Sequence, residues 1–413
     1  MTIPADHGTT AKALGTLGLT KMIASAAWNY RRTAAYLLRR GKLRSLGNFL
    51  YTKTLVPTGE GSGELAYYFI GGLLQRFPQL VWYPRNIEIE VTTRCNKRCV
   101  ICEHTWWHEP SVDLTFDTFK RLVDQFPLRW VNLTGEGDAF LNKDYLRMIS
   151  YLKQKGTSVY LVDSMDLVDW HTSLELVKLG VDGIYISMDG ATKQTYESIK
   201  VGCNFDKVLA NMQRLLEAKR RLKSPLPEVC FRFAVTKTNV REMPDFVRLV
   251  RQLGARKDFG DGSKIHFVGL LDYPEIHDLY LEEIPQALID ETLRAADGTF
   301  PAVFAHTGQL PSINRCLAWA EPYFALVPEP MVLPCCAVLM SNGRQHLLEY
   351  SFGNYTKERF ADIWNSQYYK WFRRTVTKKG APVPALCAGC RAYDTREREQ
   401  KYGIDERKKE DFE

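Results

Sequence analysis

The chain has 413 residues, 45% of them hydrophobic and 25% charged, a composition that excludes a disordered or collagen-like chain and supplies more apolar material than one ordinary core needs. Eight of its ten cysteines are bunched at 95–102, 316–336 and 387–390 in a chain far too large for a small disulfide framework, so metal or redox chemistry in a reducing compartment is expected. With no leader-like N-terminus and no run approaching about 18 apolar residues, a cytoplasmic chain without a spanning helix is expected.

Residues 1–84 read as a basic helical arm. Between His7 and Gly59 stand nine Lys or Arg (Lys12, Lys21, Arg31, Arg32, Arg39, Arg40, Lys42, Arg44, Lys53) and no Asp or Glu, which accounts for more than the whole net charge of +7. Trp28, Tyr30, Tyr36, Leu37 and Leu38 are interspersed among them. Two readings follow: an arm touching anionic lipid at the inner membrane face or a phosphorylated ligand, or the solvated face of a helix capping the main domain.

From Pro84 strands alternate with helices. Ile87, Ile89 and Val91 alternate with Glu88 and Glu90, and a helix over 114–126 follows, with Asp113 or Thr115 as its cap. Further strands are predicted at 130–134, 159–163, 183–188, 229–235 and 265–270, with helices near 142–155, 171–179, 205–222 and 241–253 between them. Six strands in this rhythm predict an α/β fold with a parallel sheet closed or part-closed into a barrel. Glu88, Glu90, Asn132, Tyr185, Ser187, Asp189 and Arg232 interrupt the apolar runs, which suits a barrel around a chamber rather than a packed interior. Function in such barrels gathers after the C-terminal ends of the strands. Residues 271–313, with four prolines and a helix near 284–296, read as a connector; 314–392 form a cysteine-bearing unit and 393–413 a charged tail.

Directly after the first strand comes Arg94-Cys95-Asn96-Lys97-Arg98-Cys99-Val100-Ile101-Cys102, a CxxxCxxC triplet. Three thiolates on one loop suit three irons of a cubane cluster or three corners of a zinc site completed by His104 or His108; buried structural cysteine is the plain alternative. The triplet's position resembles the radical S-adenosylmethionine (SAM) superfamily. That resemblance implies a partial (β/α)6 TIM-type barrel in which Cys95, Cys99 and Cys102 hold three irons of a [4Fe–4S] cluster and SAM binds the fourth. Two further stretches carry the likeness. Gly135-Glu136-Gly137-Asp138 follows the second strand where the family has its glycine-rich turn, with Asp138 in place of Glu and Ala139 in place of Pro. Ser187-Met188-Asp189-Gly190 is followed by Tyr196-Glu197-Ser198-Ile199-Lys200-Val201-Gly202, where Lys200 replaces the usual Arg. The resemblance implies SAM contacts from Gly135, Gly137, Asp138, Ser187, Asp189 and Lys200, and Arg232 on the fifth strand is assigned to the same set.

Cys316, Cys335-Cys336 and the pair Cys387-Ala-Gly-Cys390 resemble the SPASM or twitch extension of such enzymes. They imply one auxiliary [4Fe–4S] cluster on Cys316, Cys335, Cys387 and Cys390, with a structural zinc ribbon as the alternative. Cys203, Cys230 and Cys336 remain as spare thiols, and Cys203 is the candidate catalytic hydrogen donor. The implied activity is reductive SAM cleavage and hydrogen abstraction from a small molecule such as a sugar, aminocyclitol or lipid-linked glycan, for oxidation; epimerisation, dehydration or peptide modification are the other courses. An external one-electron reductant of flavodoxin or ferredoxin type is implied, while no nucleic-acid partner is expected. Outside enzymes, an iron–sulfur electron carrier is the rival, and Ser187 and Asp189 argue against it because a carrier does not need SAM contacts.

Overall fold

The computed structural model describes residues 30–55, 81–84, 86–108, 110–270, 272–298, 300–305, 316, 319–390 and 395–413. Seven strands run parallel in chain order: β1 (Asn86–Glu90), β2 (Trp130–Thr134), β3 (Ser158–Asp163), β4 (Gly183–Ser187), β5 (Glu228–Val235), β6 (Ile265–Gly269) and β7 (Ala302–Ala305). Helical crossovers between parallel neighbours make this the α/β part-barrel expected from the alternating pattern. Four of the helices start at a side-chain cap: Thr115, Asp169, Thr192 and Asn204 accept from backbone N–H groups of Thr118, Thr172, Thr195 and Lys207.

Two features differ from the expected six-stranded unit. Strand β7 lies inside the segment read as a connector, its four residues being too few to show a period. The sheet also does not stop at the barrel's first edge. Strand β8 (Tyr323–Ala325) pairs with β1 in parallel and β9 (Met331–Leu333) turns back antiparallel, so one nine-stranded sheet runs β7-β6-β5-β4-β3-β2-β1-β8-β9 into the C-terminal region. A boundary at residue 314 therefore divides the sequence but not the sheet.

The alternation sorts side chains to two faces. Ile87, Ile89, Val131, Leu133, Val159, Leu161, Ile184, Ile186, Phe231 and Phe233 are buried in the core shared with the helices. Trp130, Tyr160, Tyr185 and Cys230 form a separate cluster on the other face, the barrel interior. The C-terminal region has its own aromatic packing, with Phe352 stacked on Tyr369 at 3.7 Å and the Arg373 guanidinium 4.1 Å from the Trp364 ring.

Of the arm, helices α1 (Arg31–Arg39) and α2 (Leu43–Leu55) are described; Lys12, Lys21 and Trp28 lie outside the described residues. Both helices pack at the N-terminal ends of the strands. Thr33 and Arg32 hydrogen-bond Asp261, Asn48 donates to Ser158 Oγ at 3.0 Å, and Leu37, Phe49 and Leu226 bury one another. No helix among the described residues is long and apolar enough to cross a membrane.

Candidate active site

The cysteine loop is stitched to a segment a hundred residues away. Arg98 N–H donates to Val201 O at 2.8 Å and Val100 N–H to Ile199 O at 2.9 Å, so the triplet and the Tyr196–Gly202 segment form one rim. A Cβ on Gly202, whose φ is +96°, would lie 3.2 Å from Asn96 O, which suits glycine there. Cys102 then starts the short helix Glu103–Trp107, and Thr105 Oγ1 donates to Cys99 O at 2.8 Å. His104, one of the two histidines considered for zinc, has its Nε2 2.6 Å from Thr93 O, and His108 is exposed in a left-handed turn.

The thiols of Cys99 and Cys102 are pushed up by burial, and nearby Asp189 and Glu103 respectively act in the same direction. A cationic centre between such thiols offsets that burial, so the donor set fits an iron–sulfur cluster. Among the described residues no three His, Cys, Asp or Glu side chains converge on one ion.

The glycine turn closes against β1. A Cβ on Gly137 would stand 2.4 Å from Thr92 O and 2.6 Å from Arg94 O, and Asp138 N–H donates to Arg94 O at 2.8 Å. Only glycine permits that approach. Asp138 caps Phe140 N and is ion-paired with buried Lys97, which also donates to Asn96 Oδ1. Its neighbour Glu136 pairs with Arg344 of the C-terminal region.

Across the rim, Lys200 Nζ stands 2.9 Å from Asp189 Oδ2 and 2.8 Å from Ser187 Oγ. Asp189 also accepts from Ala234 N at 2.7 Å, and Asn239 holds the Asp189 carbonyl at 2.9 Å. Burial would lower the Lys200 ammonium, but Asp189 and the Cys99 thiol more than offset it and the net shift is upward. Ser187, Asp189 and Lys200, each assigned to SAM from the sequence, thus stand together beside the triplet. Gly135 meets Glu90: its Cβ would lie 2.8 Å from Glu90 Cγ.

Strand register places Glu88, Asn132, Tyr160, Tyr185, Arg232 and His266 on the interior face. Asn132 Nδ2 donates to Glu88 Oε1 at 3.1 Å, while buried Asn132 Oδ1 accepts from no described residue. Arg232 lies 4.8 Å from the Tyr185 ring centroid and is exposed on the interior face of β5. Arg232 is therefore one of the wall residues, on the strand next to Ser187.

Of the spare thiols, Cys203 packs in the helix-side core, with Tyr196, Lys200 and Lys97 near it. Cys230 Sγ lies 3.7 Å from Gly262 O, toward the N-terminal end of the barrel. Cys336 is exposed, and its thiol lies near Glu88 and Arg232 of the chamber wall.

The four thiols of the second set are neighbours of one another. Burial pushes up the Cys387 thiol, and Cys316, Cys390 and Cys335, which are near it, act in the same direction. Cys335 is pushed up to about 12, first by burial and then by Cys390. Residues from three segments thus meet: the turn after β9, the CxxC, and Cys316, whose N–H donates to Val376 O at 3.1 Å.

Sequence reasoning missed Glu90 as a connector. Its carboxylate is 1% exposed and accepts from Glu136 N at 3.0 Å and Leu326 N at 2.8 Å, joining the glycine turn to the C-terminal sheet extension. Its place as the last residue of β1, followed by apolar Val91, was the one available signal.

Comparison with known proteins agrees with this geometry. A family model of the radical SAM superfamily matches residues 89–250, and one of an iron–sulfur cluster-binding domain, SPASM, matches 316–391. The chain is 26% identical over 312 residues to the tungsten-containing aldehyde ferredoxin oxidoreductase cofactor-modifying protein of Pyrococcus furiosus, covering 70% of this chain and 83% of that one. It is 24% identical over 339 residues to the AdoMet-dependent heme synthase of Methanosarcina barkeri, covering 75% and 91%. Among solved structures, Streptococcus suis SuiB bound to S-adenosylmethionine aligns with a TM-score of 0.57 at 12% identity, over 87% of this chain and 92% of that one, a likeness of fold. The chain belongs to the radical SAM superfamily, as an enzyme of SAM and [4Fe–4S] clusters with a C-terminal SPASM domain.

Proposed function

We propose that this enzyme acts on a small polar molecule, a sugar, aminocyclitol or lipid-linked glycan, held in the chamber beneath the cysteine loop. The observation that carries the reading is the interior face: Glu88, Arg232 and the unmatched acceptor Asn132 Oδ1 set beside the aromatic wall of Trp130, Tyr160 and Tyr185. Such a mixture of charge, acceptor and ring face orients a polar ligand while keeping water out. The names of the two relatives described above, a cofactor-modifying protein and a heme synthase, favour a non-peptide substrate.

In this reading Cys95, Cys99 and Cys102 hold the SAM-binding cluster, and Cys316, Cys335, Cys387 and Cys390 the auxiliary one. When bound, the clusters and SAM supply one-electron chemistry: reductive SAM cleavage, hydrogen abstraction from carbon and, for an oxidation, acceptance of the substrate's remaining electron. Gly135 and Gly137 let backbone approach the cofactor, and Ser187, Asp189 and Lys200 present a fixed polar edge to it. Asp138, engaged by Lys97, braces the loop from behind. Arg232 binds an ionised substrate group and Glu88 accepts from a hydroxyl or ammonium. A flavodoxin- or ferredoxin-type protein delivers the electron.

A second reading, redox-neutral epimerisation, is favoured by the exposed Cys336 thiol, which lies near Glu88 and Arg232 of the chamber wall. The test of the whole reading is anaerobic, cluster-reconstituted protein with dithionite and SAM, assayed for 5′-deoxyadenosine with and without candidate substrates. Replacing Cys95, Cys99 and Cys102 by Ala is expected to abolish SAM cleavage and leave the auxiliary-cluster spectrum. Cleavage by that triple variant would refute the assignment.

A further inference from the structure

At the opposite end of the barrel from the cysteines lies a cavity of about 640 Å³ between α1, the end of helix Phe205–Arg221 and the helix Arg256–Phe259. Eight of its lining residues are Lys or Arg and one, Asp258, is acidic. Asp258 is already engaged by the N–H of Ala255 at 3.1 Å. Among the described residues the side chains of Arg39, Lys223 and Lys257 have no ion-pair or hydrogen-bond partner, and all three are exposed. Lys219 forms part of the lining, is 3% exposed, and gives its N–H groups to Pro227 O and Phe259 O, each at 2.6 Å, so the cations that face the cavity are the exposed ones. So dense a cationic concavity, with so little internal compensation, suits a phosphate-bearing anion.

The surroundings identify which phosphate. Leu38, Leu43 and Leu50 on α1 and α2 are 58%, 64% and 45% exposed. Leu43 and Leu50 are two helical turns apart and so share a face, with Gly47 between them presenting no side chain. Arg39, Arg40, Lys42 and Arg44 flank these leucines. A soluble phosphate ester has no use for exposed leucines beside its pocket, whereas a lipid surface engages leucines at the acyl boundary and cations at its headgroups.

We propose that the α1–α2 end of the barrel is a docking site for an anionic phospholipid surface, with the cationic cavity taking a lipid phosphate and Leu38, Leu43 and Leu50 entering the interface. The chamber mouth at the other end of the strands then faces away from the lipid. This proposal stands apart from the choice of substrate and reaction.

The test is flotation of the full-length, cluster-loaded protein with vesicles of phosphatidylcholine alone and of phosphatidylcholine with 30% phosphatidylglycerol. Binding is expected only to the anionic vesicles, with release as salt rises from 0.05 to 0.5 M. Lys223→Gln/Lys257→Gln is expected to weaken it about thirtyfold, taking the attraction per basic residue near an anionic surface. Both lysines belong to the barrel, so their effect is separate from that of the arm's first residues. Leu43→Ser/Leu50→Ser is expected to weaken binding at least tenfold at unchanged charge, and circular dichroism and 5′-deoxyadenosine formation verify that both variants fold. Equal binding to neutral vesicles, no binding to anionic ones, or indifference to either double variant would overturn the proposal. So would thermal stabilisation by inorganic phosphate or glycerol phosphate through Lys223 and Lys257 without vesicle binding, which would assign the cavity to a soluble phosphate.

Discussion

Lys200 and Asp189 form an ion pair at 2.9 Å in which both side chains are shielded, 8% and 1% exposed, and the same lysine reaches Ser187 Oγ. The backbone just before and after Lys200 receives the N–H groups of the cysteine loop. One buried pair therefore ties the C-terminal end of β4 to the rim that carries the triplet.

Removing one partner of such a pair leaves a buried charge, which costs roughly 3–5 kcal/mol, whereas removing both together costs much less. Lys200→Met is expected to lower the urea-unfolding stability of the cluster-free protein by about that amount. Asp189→Asn/Lys200→Met is expected to recover more than half the loss. Additive losses in this cycle would show that the two side chains do not act as a pair.

Two glycines make an opposed prediction. Gly137→Ala forces a Cβ into the carbonyls of Thr92 and Arg94, both backbone atoms that cannot swing aside. It is expected to abolish SAM cleavage, with the far-ultraviolet dichroism of the barrel retained. Gly47→Ala on exposed α2 meets nothing within 4 Å and is expected to stabilise by about 0.5–1 kcal/mol, as helix propensity dictates. A neutral Gly137→Ala would show that the turn is not held against β1.

What was legible in the sequence was what is local. Ile87 and Ile89 against Glu88 announced a strand with two unlike faces, and the polar face proved to be the chamber wall. Thr115 announced its helix through a cap three residues away. The rest depends on long-range meetings. Glu136 with Arg344 and Glu90 with Leu326 N–H join residues more than two hundred apart, and no periodicity encodes such partners. The pairing of β8 with β1 was hidden for the same reason, and because three residues, Tyr323 to Ala325, are too few to show alternation.

The placement of the thiols separates oxidation from epimerisation. Run in deuterated water, an epimerase using Cys336 places deuterium on the product carbon, and Cys336→Ala keeps forming 5′-deoxyadenosine without product. Cys203→Ala is expected to retain turnover, since that thiol packs in the helix-side core. Unlabelled, oxidised product from the wild type together with an active Cys336→Ala variant would establish the oxidative course.

Lys219 gives the last prediction, a dependence of stability on pH. Burial pushes its amine down to about 7, Arg32 acting in the same direction and Glu228 against it. A neutral amine has two N–H groups, and two carbonyls, Pro227 O and Phe259 O, receive them. Between pH 7 and 10.5 the unfolded chain keeps a proton on this residue that the folded chain has lost. Stability therefore rises with pH across that window, by up to about 1.4 kcal/mol per pH unit from this group alone. Below pH 7 both states are protonated and the contribution levels off at its least favourable value. Lys219→Met removes the titration, so the test is the difference in slope between wild type and variant in urea melts from pH 6 to 10, whatever the variant's absolute stability. Parallel curves would show that Lys219 remains charged in the fold, whereas a wild-type curve that climbs relative to the variant above pH 7 would establish the buried neutral amine.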